Sequence, residues 1–243
     1  MNLCFLKIKK NLFLKAFGAF LFVFFLFPFL FSKGYFSVGN IFFGQVPTLY
    51  NVNLAQYFFT YASYPLFGDP APYAHYQLSR TYFIQGEFDD AIHEAQVELE
   101  FYPEHQRTHY ILGLTYGYMN EEEKAIEEFS KFIEVYPSTW AGRNDKAWLQ
   151  FRIGDIDGAY ETIKPVIWDI NNPWVQNMYG VVLMNKGNRN EALQAFKYAQ
   201  AATDAMSEES WGKAYPGNDP RIYETGLNAM KQSIEANLRL LNE

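Results

Sequence analysis

His93-Glu94 is the first place to look for chemistry, because a histidine followed by a glutamate opens the H-E-x-x-H pattern of zinc proteases. Two histidines four residues apart on a helix would hold the metal, and the glutamate would act as general base. Here the fifth position is Val97, so the second ligand is missing and the motif fails. His75 and His109 stand 34 residues apart at equivalent points of a repeating pattern, which raises the question of a shared metal. Histidines a whole repeat apart are too distant for a tetrahedral centre, and the only cysteine, Cys4, cannot help. Both read as ordinary helix residues. The acidic runs Asp89-Asp90 and Glu121-Glu122-Glu123 open helices, where carboxylates favour the positive end of the helix dipole. No phosphate-cradling glycine loop, nucleophile elbow or dinucleotide fingerprint is present. The expectation is a protein that is not an enzyme and uses no cofactor and no metal.

What the chain does hold is a repeat. Ala91, Ala125, Ala159 and Ala192 each follow a turn residue by about five positions, and those turn residues are Gly86, Asn120, Gly154 and Gly187. Both series step by 34, 34 and 33 residues, a period that means stacked two-helix units rather than one globule. Glycine, or asparagine next best, accepts the left-handed backbone that ends a first helix. Pro103 and Pro137 stop second helices. Small residues let paired helices approach until their backbones nearly touch, and aromatics fill the gaps between units.

From Pro72 onward this pattern resembles the tetratricopeptide repeat family. The first repeat carries Leu78, Ser79, Tyr82, Gly86, Ala91 and Pro103, and the second Leu112, Gly113, Tyr116, Asn120, Ala125, Phe129 and Pro137. The third carries Ala147, Gly154, Ala159 and Ile163, and the fourth Gly180, Gly187, Ala192, Phe196 and Ala199. The resemblance implies an all-α, right-handed α-solenoid of about four helix-turn-helix repeats over residues 72–205. Arg221 to Asn242 reads as a capping helix, with Ile222, Leu227, Met230, Ile234, Leu238 and Leu241 on one face, so residues 206–243 are a loop followed by a cap. That loop, 206–220, is a surface connection or a lid over the groove. Departures occur at Glu98, where a small residue is expected, at Lys146, and at Pro165, which is expected to kink the third repeat's second helix. The third repeat should be the least regular.

The N-terminal part differs in kind. Residues 16–31 are uncharged and strongly apolar, and extending back to Leu12 gives a helix of about 30 Å, enough to cross a bilayer. Residues 1–33 thus read as a basic tip and a single transmembrane signal-anchor, with the C-terminal domain extracytoplasmic by the positive-inside rule. A cleaved signal with a secreted product is the alternative. Residues 34–71 form an aromatic-rich juxtamembrane segment in which no charge occurs from Gly34 to Gly68. A short helix at Leu54–Ser63 is expected, while the stretch before it is open between extended chain and aromatics that hug the membrane interface. From Asp69 onward fifteen basic residues face twenty-seven acidic ones, a net of −12, which repels nucleic acid.

In the tetratricopeptide family the first helix of each unit lines a concave groove. Carried over, the lining implied here is Tyr73, Tyr76, Arg80 and Phe83, then Arg107, Tyr110 and Leu114. Asn144, Trp148 and Phe151 follow, then Trp174, Asn177, Val181 and Met184. Tyr, Trp and Arg dominate binding hot spots, and the two asparagines suit the backbone of an extended peptide. Some family members clamp a terminal carboxylate with lysines that are missing here. The resemblance implies a membrane-anchored interaction scaffold that binds a protein or peptide partner. The alternatives are a structural spacer, a self-associating homo-oligomer, or an accessory subunit of an envelope enzyme complex.

Overall fold

The computed structural model describes residues 32–65, 69–214 and 223–242. The expected membrane span, residues 12–31, lies outside them. No helix among the described residues is long and apolar enough to cross a membrane. All described secondary structure is helical, and the chain divides into two compact units, residues 1–105 and 106–243.

The first unit contains two helical hairpins. Its second hairpin, α3 (Ala74–Gln85) and α4 (Phe88–Phe101), is the first expected repeat. Ahead of it stands a hairpin that the spacing does not reveal, formed by α1 (Ser32–Asn40) and α2 (Val52–Ser63). The stretch before Leu54, which the sequence leaves open, is mostly helical. Phe59 explains why. Its ring lies against Gly39, so close that a Cβ there would come within 2.5 Å of it. Ala55 and Ala62, one turn to either side of Phe59, are fully buried. This small-against-aromatic seam matches Gly113 against Phe129 and Gly180 against Phe196 in later repeats. The linker Ile41–Asn51 folds as a wide turn and a short 3₁₀ turn, and Asn51 caps α2 by accepting from the Leu54 N–H at 3.0 Å.

The second unit stacks three hairpins: α5 (Arg107–Tyr118) with α6 (Glu122–Val135), α7 (Trp140–Arg152) with α8 (Ile156–Ile163), and α9 (Pro173–Asn185) with α10 (Arg189–Asp204). Helices α11 (Glu208–Ala214) and α12 (Tyr223–Asn242) follow. Part of the segment read as a loop, 206–220, is therefore helical; its residues 215–220 lie outside the described structure. The cap is where the pattern puts it: Ile234 and Leu241 pack with Leu183, Ala192, Phe196 and Ala199. The Arg189 guanidinium donates to the Leu241 carbonyl at 2.6 Å, satisfying an acceptor that the helix end leaves open.

The four marker alanines occupy equivalent places. Each is fully buried, and each donates its N–H at 3.0 Å to the residue four before it, namely Glu87, Glu121, Asp155 and Asn188. Gly86, Asn120, Gly154 and Gly187 all hold positive φ between 59° and 84°. The next N–H reaches back to the carbonyls of Tyr82, Tyr116, Gln150 and Leu183, a Schellman closure repeated four times.

Pro165 acts differently from the expected kink. Helix α8 stops at Ile163 after eight residues, against fourteen in α4 and α6, and a 3₁₀ turn at Lys164–Val166 follows. The Gln176 amide then donates to the Ile167 and Asp169 carbonyls, holding this irregular connection in place. Glu98, the other departure, has become a buried cap in trans. Its carboxylate accepts the Tyr76 N–H at 3.1 Å, in the first turn of α3, where Tyr73 provides no side-chain cap.

Two substitutions test the seam. Phe59→Ala and Ala125→Leu act in opposite senses, one emptying the contact and the other overfilling it. We expect losses of about 3–5 and about 1–3 kcal/mol respectively in chemical denaturation. An unchanged midpoint for Phe59→Ala would remove the case for an additional repeat-like hairpin.

Candidate interaction surface

Within three successive hairpins a polar cross-brace ties the start of the first helix to the second. His75 Nδ1 meets the Glu94 carboxylate at 2.6 Å, and His109 Nδ1 meets Glu128 at 2.6 Å. A carboxylate only accepts, so Nδ1 carries the proton in both pairs. Arg143, one period further on, donates to the Thr162 carbonyl at 3.0 Å. These histidines are therefore structural. Among the described residues no group of three or more His, Cys, Asp or Glu side chains is placed to hold a metal. Tyr64 donates to the other Glu94 oxygen at 2.9 Å, and burial together with this bond pushes its phenol up. The signal was present in the sequence: Glu94 and Glu128 each lie 19 residues after their histidine, at the same 34-residue step.

In the first unit, Tyr73 and Tyr76 both pack on the His105 ring, at 4.3 and 4.6 Å between centroids. Arg80 lies over the Phe43 ring at 4.7 Å and over Tyr76 at 5.7 Å. Its guanidinium donates to Gln77, which donates in turn to Asn40, each at 2.9 Å. No carboxylate forms an ion pair with Arg80 among the described residues. These groups border an open pocket of about 450 Å³ whose other lining residues include Phe36, Phe43 and Gln45. Reading the repeats alone missed this wall, because it comes from α1 and the turn after it.

The second unit sorts the remaining candidates. Tyr110 is not a groove residue: it is 8% exposed, packs on Phe129 and Phe132, and donates to Asp145 at 3.0 Å. Arg107 is exposed. Trp148 is 47% exposed and stacks on Phe151 at 5.8 Å. Trp174 stacks on Trp140 at 5.3 Å and meets Trp211 of α11 at 5.7 Å, so its own chain already occupies it on two sides. The Trp211 ring is lodged where a Cβ on Gly226 would be, which ties α11 to α12. Helices α7 and α9 run in the same direction, because each is antiparallel to α8 between them. The Trp140–Trp174 stack therefore sets Asn144 and Asn177 level, one turn further along. Asn177 is the unusual member: its buried side-chain oxygen has no hydrogen-bond partner.

Residues 106–139, which span α5 and α6, match the tetratricopeptide repeat family model. Comparison with curated protein sequences finds no match. Among solved structures, MamA from Desulfovibrio magneticus RS-1 (residue 41 to the end) is 12% identical, covering 72% of this chain and 96% of its own, with a TM-score of 0.61. MamA AMB-1 is 19% identical over 72% of this chain and 93% of its own, at 0.57. YrrB, described as a tetratricopeptide repeat protein with an unusual peptide-binding site, is 18% identical over 72% and 88%, at 0.58. At these identities the likeness is one of fold. The described chain is an all-α helical repeat of tetratricopeptide type.

Glu128 gives the braces a pH signature. Burial alone would raise its carboxyl, but hydrogen bonds from His109 and Lys131 outweigh that and hold it below the ordinary carboxylate value. A depressed acid contributes stability above its unfolded pKa, about 4.3, and loses it as the pH falls through the lower folded value. The stability gap between wild type and Glu128→Gln should accordingly be constant near neutrality and narrow below pH of about 4 in paired denaturation series. A gap that widens on acidification would contradict this sign.

Proposed function

We propose that the protein is a non-catalytic interaction scaffold, tethered to a membrane by residues 12–31, that binds an extended segment of a partner along the first helices of its second unit. One observation carries this reading: the Asn177 side-chain oxygen, buried and without a hydrogen-bond partner, on a first helix of a unit whose preceding first helix exposes Trp148. An unsatisfied buried polar atom is unfavourable by about 1–3 kcal/mol, so a partner's backbone N–H that reached it would relieve that penalty on binding. Trp148 and Phe151 offer a flat apolar platform for an adjacent side chain. In the first unit, Arg80 provides a guanidinium without a carboxylate partner, suited to an acidic group of a ligand there. The likeness to YrrB, described as having an unusual peptide-binding site, supports the same direction.

A second reading has its own observation. Trp211 of the C-terminal helices packs at a tilt against Trp174, covering one side of it. In this version the unit is a self-contained spacer, and Trp174 makes no contact with a partner.

The two readings separate by experiment. Peptides selected from a random library against the full chain in detergent should lose at least about tenfold in affinity, roughly 1.4 kcal/mol, in Trp148→Ala and in Asn177→Ala. Trp168→Ala, at an exposed tryptophan off these helices, should leave binding intact. Equal affinity in all three, or no peptide selected at all, favours the spacer.

A further inference from the structure

We propose that the α1–α2 hairpin lies on a lipid bilayer, with the outer face of α2 and the tyrosines beside it seated among the headgroups. This rests on the reading of residues 12–31 as a membrane span. Leu54, Tyr57 and Tyr61 are spaced by three and four positions, so they share one face of α2, and all three are exposed. The exposure is not scattered. Tyr57 meets Tyr61 at 4.9 Å and Phe58 at 5.3 Å, Tyr35 of α1 stacks on Tyr61 at 5.2 Å, and Phe42 stacks on Phe58 at 5.7 Å. Five aromatic rings, four from the two helices and Phe42 from the turn that joins them, thus form one continuous surface, and exposed Leu49 lies in the same turn. Patches of this kind mark interaction sites rather than ordinary surface.

Three features select lipid as the occupant. The hairpin carries no charged side chain after Lys33, whereas a protein-facing patch is normally rimmed by charges; tyrosine, with an apolar ring and a polar tip, suits the headgroup level. In the sequence Ser32 directly follows the apolar run, and the nine residues of α1 described from there span only about 14 Å, so under that reading the hairpin stays close to the bilayer. The body from Asp69 onward, with fifteen basic and twenty-seven acidic residues, is repelled by anionic lipid. The neutral hairpin is the part of the chain that can approach such a surface. Lys33, exposed at the start of α1, would lie within reach of lipid phosphates.

The test uses the full chain with Cys4→Ser and a single new cysteine, Tyr57→Cys or Tyr61→Cys, carrying a nitroxide label. Glu127→Cys serves as the reference on the body. Each labelled chain is reconstituted into phosphatidylcholine–phosphatidylglycerol vesicles, and helicity equal to wild type is required. Relative to position 127, positions 57 and 61 should collide several-fold less with a water-soluble nickel chelate and several-fold more with oxygen dissolved in the lipid. Carbonate washing reads the anchor separately. Labels as open to nickel as position 127, on a chain that stays in the vesicles, overturn the bilayer contact and leave the anchor standing. Dipolar broadening between copies at position 57 assigns the face to a second copy and also overturns it. A chain released by carbonate overturns both readings.

Discussion

The close approach of two helices within each hairpin is the constraint on which the rest depends. Gly39, Gly113 and Gly180 each lie so near a phenylalanine of the facing helix that a Cβ would come within 2.5–2.9 Å of its ring. The fully buried alanines at 91, 125, 159 and 192 complete the same seam from the second helix. A ring filling the space where a methyl group would stand leaves the hairpin one packing distance, since interiors as dense as organic crystals transmit even single-methylene changes.

Polar groups inside such a seam need partners, and the chain provides them at the same period as the alanines. The His75–Glu94 and His109–Glu128 pairs tie each first helix to its second where a bare N-terminus would otherwise leave backbone donors open. Arg143 does the same work against a backbone carbonyl once the glutamate has become Thr162. Glu98 shows how a departure from the pattern is absorbed. A carboxylate in place of a small residue would be intolerable alone, but it meets the Tyr76 N–H and His105 Nδ1 and becomes part of the first unit's frame.

Surface character follows from which helices are left without neighbours. In the first unit the α1–α2 hairpin presents aromatic rings without charges, and its inner side joins Arg80 to a small amide network. In the second unit the first helices expose Trp148, while Trp174 stacks on Trp140 and meets Trp211 at a tilt. Tryptophans that look alike in a repeat alignment thus divide into one free platform and three that bind the chain to itself.

Spacing alone determined the repeat, its turns, its alanine seam and the capping face of α12, because each needs a particular side-chain size or backbone conformation at a fixed interval. The first hairpin was hidden for a definite reason. Gly39 and Phe59 are 20 residues apart, whereas Gly113 and Phe129 are 16 apart, so four extra turn residues break the register that a periodic search relies on. Tyr110 occupies a groove position in the pattern, yet only the tertiary structure shows Asp145 and two phenylalanines drawing it into the core. The end of α8 at Ile163 and the pairing of Trp211 with Trp174 were also decided there. Those outcomes depend on contacts between residues far apart in the chain, and periodicity describes only what recurs along it.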